Sequence, residues 1–110
     1  MAAKFVIKKL DSEKFMFNLK AVNGEIILTS QLYADRSGVV TGIAAVKAQA
    51  LREENFEKKV ASNSEHYFAL KAGNGQTIGK SELYKSASSM NNGIASVMKN
   101  AAIAEVVDLR

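Results

Sequence analysis

An α+β fold made of two tandem β-β-β-α-β repeats is predicted by three features of this sequence. Residues 21–33 read AVNGEIILTSQLY, and residues 72–84 read AGNGQTIGKSELY. Residues 5–50 align with 56–101 at a constant offset of 51 and without a gap, with identities such as Phe17/Phe68, Leu19/Leu70, Asn23/Asn74, Gly24/Gly75, Tyr33/Tyr84 and Gly42/Gly93. Within each copy the apolar period changes from two before Asn-Gly to between three and four after Leu-Tyr, the mark of strands followed by a helix.

The strands come first. Phe15, Phe17, Leu19 and Ala21 alternate with Met16, Asn18 and Lys20, and His66, Phe68, Leu70 and Ala72 alternate with Tyr67, Ala69 and Lys71. Both runs read as half-buried strands. Asn-Gly ends each run, and it favours a tight hairpin because both residues accept positive φ. A second strand follows, over about residues 25–30 and 76–81. A two-residue loop would set the shared Ile27 opposite Lys20, whereas a three-residue loop over 22–24 with a glycine bulge sets it opposite Leu19. Only the longer loop keeps the shared apolar residues on one face, so it is the one expected.

The helices are read from two matching stripes, Val39, Ile43, Val46 and Ala50, then Met90, Ile94, Val97 and Ala101. Asp35 and Ser86 stand at equivalent positions as N-caps. Gly42 and Gly93 sit inside the helices at a cost of about 1 kcal/mol each relative to Ala, which implies close approach of another element. KFVIKKL and NFEKKVA open the two copies as further strands, and EVVDLR closes the chain as another. LREENFEKKV holds neither glycine nor proline, so the trailing strand of the first copy and the opening strand of the second share this segment without a linker.

A lone unit of this size is marginally stable. The expectation is therefore a single domain over residues 1–110, with repeat 1 at about 5–55 and repeat 2 at about 56–110. Their sheets merge across a pseudo-twofold axis and both helices pack on the result.

Composition bounds the function. Of 110 residues, 47% are apolar and 24% charged, values of a folded globular chain. The absence of cysteine excludes thiolate metal sites and thiol nucleophiles. MAAKFVIKKLD becomes charged too early for a secretory signal, and no run approaches the roughly 18 apolar residues of a membrane span. A cytoplasmic protein without membrane association is the expectation.

The pattern F-x-L-K-A-x-N-G-x-x-I-x-x-S-x-x-Y followed by G-I-A-x-V resembles the YegP-like family of small bacterial proteins of unknown function. It spans residues 17–33 with 42–46 and residues 68–84 with 93–97. The resemblance implies one sheet with terminal strands exchanged between the units, EVVDLR crossing to the first unit and the segment around residues 52–60 bridging both. It carries no catalytic or binding residue. The Ser-Glu that usually precedes the family's tyrosine is present as Ser81-Glu82 but replaced by Ser30-Gln31 in the first copy.

No catalytic constellation is legible. His66 is the only histidine and aligns with Phe15 at the start of a strand, so it reads as a structural or edge-exposed ring, and the companion ligands of the usual histidine-centred zinc sites are absent. No serine lies in a nucleophile elbow, and no carboxylate pair is recognisable. AGNGQTIGK lacks the phosphate-loop spacing and precedes a strand. No catalytic residue, metal or cofactor is therefore assigned.

The affirmative signal is basic. The net charge is +4 and the pI about 9.4. Lys8/Lys59 and Lys20/Lys71 recur in both copies. Ser30-x-x-Tyr33 and Ser81-x-x-Tyr84 are the most repeated polar features outside the turns, with a structural role first and a twofold pair of polar pockets second. The candidate binding residues are Lys20, Ser30, Tyr33, Lys71, Ser81 and Tyr84. The leading function is a non-enzymatic interaction module, monomeric with internal pseudo-twofold symmetry, for a protein or ligand partner. Weak nucleic-acid association through paired lysines and tyrosines is the alternative and is not favoured, because only three arginines and no basic run are present.

Overall fold

Both repeats contribute to one seven-stranded sheet in the order β4-β5-β6-β3-β2-β1-β7. The strands are β1 (Lys4–Lys9), β2 (Phe15–Lys20), β3 (Ile26–Ser30), β4 (Phe56–Val60), β5 (His66–Lys71), β6 (Thr77–Lys80) and β7 (Glu105–Asp108), and the helices are α1 (Arg36–Gln49) and α2 (Ala87–Ala101). The computed structural model describes residues 3–108, so the last two residues of EVVDLR, Leu109 and Arg110, lie outside the described residues. All pairings are antiparallel except β1 with β7.

The terminal strand crosses as the resemblance implies: β7 leaves the second repeat and pairs with β1 of the first. The exchange is one-sided. Residues 51–55 turn through a short 3-10 helix (Glu53–Asn55) and run straight into β4, so the shared segment supplies one strand instead of two.

The three-residue loop is present in both Asn-Gly hairpins. The Ala21 N–H donates to the Glu25 carbonyl and the Gly24 N–H to the Ala21 carbonyl, both at 2.9 Å, with Gly24 at φ 87°. Asn23 Oδ1 accepts the Glu25 N–H at 3.0 Å and holds the loop from within. The register, however, corrects the sequence reading. Lys20 faces Ile26 and Leu19 faces Leu28, so Ile27 is an extra residue in the strand and pairs with neither Lys20 nor Leu19. The second copy repeats this, with Lys71 facing Thr77, Leu70 facing Gly79, and Ile78 extra. A one-residue bulge lets two consecutive side chains share one face. Ile27 and Leu28 are both buried for that reason.

Both helices lie on one face of the sheet, and their predicted stripes, Val39, Ile43, Val46, Ala50 and Met90, Ile94, Val97, Ala101, are all buried. Asp35 and Ser86 cap them, accepting the Gly38 and Ser89 N–H at 2.8 and 3.0 Å. On the sheet side the core is an aromatic ladder built twice. Phe5 meets Phe17 edge-on at 5.8 Å between centroids, and Phe56 meets Phe68 at 5.5 Å.

At the centre the two repeats differ. Leu28 and Gly79 are equivalent positions, and a Cβ on Gly79 would come within 2.8 Å of the Thr29 carbonyl oxygen and 3.1 Å of Leu28 Cγ. One leucine fills the space next to the axis. Its counterpart has to be glycine.

Candidate functional site

Ser30 and Ser81 occupy the point where a strand leaves its neighbour. Ser30 Oγ accepts the Phe17 N–H at 2.9 Å and donates to the Gln31 carbonyl at 2.7 Å. Ser81 does the same with Phe68 at 3.0 Å and Glu82 at 2.8 Å. A hydroxyl here replaces the lost ladder partner of a backbone N–H, which would otherwise stay unsatisfied. Three residues later the chain returns, and Tyr33 exchanges two backbone hydrogen bonds of 2.8 Å with Phe15. Tyr84 pairs likewise with His66 at 2.7 Å. His66 thus sits half-buried at a strand start, in backbone partnership with Tyr84.

Each tyrosine ring then lies over a helical glycine. Tyr33 stacks on Phe17 at 6.3 Å and 12°, and Tyr84 on Phe68 at 6.3 Å and 13°. A Cβ on Gly42 would strike the Tyr33 hydroxyl and approach its Cζ to 2.8 Å; Gly93 stands in the same relation to Tyr84, with Cζ at 2.7 Å. The glycines inside both helices are explained by these rings. Burial raises the pKa of both phenols above the ordinary value, and for Tyr84 the carboxylates of Glu82 and Glu25 add to it.

The hairpin of each repeat lies beside the helix of the other. Two grooves lie at these junctions. One, of about 540 Å³, runs between α1 and the second hairpin, with Gln31, Tyr33, Asp35, Thr41 and Gln76 on its walls. The other, of about 640 Å³, runs between α2 and the first hairpin, with Asn23, Asn92, Ser96 and Lys99. Their positions are twofold-related, but their chemistry is not shared, since few of the wall residues are the same in the two copies.

Lys20 and Lys71 are elsewhere. Phe17 and Leu19 face the helices, so Asn18 and Lys20 face the other side of the sheet, which no element among the described residues covers. The same parity places Lys4, Lys8, Lys20, Lys59, Lys71 and Lys80 on this open face. A buried strip of Val6, Asn18 and Ala69 crosses its middle, with Asn18 Nδ2 donating to Thr29 Oγ1 at 3.0 Å. The two halves of the face differ electrostatically. Glu57, whose equivalent is Val6, lies 3.0 Å from Lys59 and 3.7 Å from Lys71. Its hydrogen bond to Lys59, then the charges of Lys59 and Lys71, hold its carboxyl below the usual range, and the same contact raises Lys59. Among the described residues no carboxylate pairs with Lys8 or Lys20.

The six candidate binding residues therefore fall into two sets on opposite sides of the sheet. The serines and tyrosines lie on the helix side and serve the fold; the lysines lie on the open side. Alternation with Phe17 and Leu19 already set Lys20 on the polar face, but the side taken by Ser30 and Tyr33 was not legible, because the bulge shifts the parity of the second strand and the tyrosine lies beyond its end. Among the described residues no group of three potential metal ligands comes together, and no helix is long and apolar enough to cross a membrane.

A family model described as a domain of unknown function, DUF1508, matches twice, at residues 11–57 and 61–108. A UPF0339 protein of Pasteurella multocida is 50% identical over 96% of this chain and 92% of its own length. The UPF0339 protein YegP of Escherichia coli is 47% identical over 98% of both chains. The solution NMR structure of E. coli YegP, a protein of unknown function, superimposes with a TM-score of 0.92, covering 98% of this chain and 93% of that one at 47% identity. A UPF0339 protein of Shewanella oneidensis gives 0.92 at 43% identity, covering 99% and 92%.

Proposed function

The chain belongs to the DUF1508 family, and we infer that it is a non-enzymatic interaction module, a single cytoplasmic domain of two repeats that presents its open sheet face to an acidic partner protein. The observation that carries this reading is the lysine border of that face. Lys8 and Lys20 in the first half have no counter-ion among the described residues, whereas Lys59 and Lys71 share Glu57. A face on which lysines outnumber Glu57 and Glu105, with Met16, Ile26 and Tyr67 standing among the charges, steers and seats an oppositely charged partner.

Single-stranded nucleic acid is the weaker reading. It needs aromatic faces beside the lysines, and Tyr33 and Tyr84 lie across the sheet from them, which leaves Tyr67 as the aromatic residue of the open face.

Affinity capture from a cell extract with the wild type and with Lys20→Glu/Lys71→Glu tests the proposal. A protein retained by the first and lost from the second supports it. Equal capture by both contradicts it. Titrating labelled single-stranded DNA and RNA at several salt concentrations tests the other reading, which requires affinity that falls steeply with salt.

A further inference from the structure

The two ends of the sheet are not equivalent. β1 is covered by β7, with Lys4 opposite Glu105 and Phe5 opposite Val106. β4 holds the same place in the second repeat and is the outermost strand on its side. By the offset of 51 the segment equivalent to β7 is residues 54–57, which ends as the first two residues of β4 itself. A chain cannot run beside a strand in parallel and then enter that strand without a return connection. The open edge is thus a consequence of tandem linkage.

Its register fixes which backbone groups face outward. The Glu105 N–H donates to the Ala3 carbonyl at 3.1 Å, so residues 3, 5 and 7 point their backbone groups away from β2. By the same parity residues 56, 58 and 60 point away from β5. The Phe56 N–H is taken by the Glu53 carbonyl. The Phe56 carbonyl and both groups of Lys58 and Val60 have no protein partner among the described residues.

We propose that two copies of this chain associate through this edge, pairing β4 with β4 antiparallel about a twofold axis at Lys58. In that register FEKKV is its own complement. Phe56 meets the second copy's Val60, Glu57 meets its Lys59, and each contact occurs twice. Lys58 meets its own image, but each copy's Lys58 Nζ already has Glu53 at 3.7 Å. The outward groups of residues 56, 58 and 60 then face one another. Registers centred on Glu57 or Lys59 also set a charge against its own image and forfeit both Glu57–Lys59 contacts, and those centred between residues set outward groups against inward ones. Val60, 63% exposed in the single chain, is covered by the pairing. Lysine on an edge ordinarily deters such pairing; the glutamates at positions 53 and 57 offset it here.

Sedimentation velocity over rising concentration tests this. The wild type is expected to move from 11.9 kDa toward twice that mass, with amide exchange slowing at Lys58 and Val60. Glu57→Lys and Lys59→Glu are each expected to weaken association roughly tenfold or more, since two attractive contacts become repulsive. An equimolar mixture of the two variants restores it, because their reversed charges face each other; circular dichroism verifies that each variant is folded. A wild type that stays at its monomer mass at every concentration overturns the proposal. So do single variants that associate as the wild type does, or a mixture that remains monomeric.

Discussion

Thr29 and Lys80 occupy the same position in the two repeats and lie directly opposite each other where β3 meets β6. The pseudo-twofold axis passes through this pair. Everything near it is forced to choose between the two copies, because equivalent side chains there would compete for one space.

Gly79 is the residue that yields. Gly79→Ala is expected to destabilise the fold by roughly 1–3 kcal/mol, since its Cβ meets a backbone oxygen that cannot step aside. Leu28→Ala at the equivalent position is expected to cost about 2–5 kcal/mol by leaving a cavity. Urea unfolding of both variants checks the asymmetry.

The helical glycines are a second test. Alanine in place of Gly42 gains roughly 1 kcal/mol of helix propensity, yet Gly42→Ala is expected to lose about 1–3 kcal/mol overall because it displaces the Tyr33 ring from Phe17. In a Tyr33→Phe background, where the nearest clashing atom is gone, the loss shrinks. A double-mutant cycle by denaturant unfolding measures that coupling.

Ser30→Ala and Ser81→Ala each orphan a backbone N–H, of Phe17 and Phe68 respectively. A loss of about 1–3 kcal/mol per site is expected. Threonine at either position, which retains the hydroxyl, recovers part of it. Thermal unfolding of the four variants distinguishes a backbone role from a solvent-facing one.

Alkaline pH should weaken the fold through the tyrosines. Burial raises the phenols of Tyr33 and Tyr84 in the folded state. The unfolded chain therefore loses its protons first, near the ordinary value of 10.0, and stability falls as pH rises from there through the higher folded values. Tyr33→Phe/Tyr84→Phe is expected to flatten this decline. Unfolding free energy measured across that range shows whether it does.

Much of this fold is legible because the chain is written twice. Shared apolar residues located the core, Asp35 and Ser86 were visible as caps, and Asn23-Gly24 announced its loop. Three things were hidden, each for a physical reason. Ile26, Ile27 and Leu28 are all apolar, so nothing in them marks which is the bulged residue. Leu28 and Gly79 look like ordinary divergence until the axis brings them together. Lys20 and Tyr33 share a repeat unit but not a face of the sheet, and the bulge together with Tyr33's place beyond the end of β3 hid which face the ring would take.

The proposed partner surface is the open sheet face, and not the helix side. Lysine labelling of the captured complex, read residue by residue by mass spectrometry, tests it most directly. Lys8, Lys20, Lys59 and Lys71 should be protected by the partner, while Lys47 and Lys99 on the helices label as they do in the free protein. Protection of Lys47 and Lys99 with full labelling of the sheet lysines would put the partner on the helix side instead.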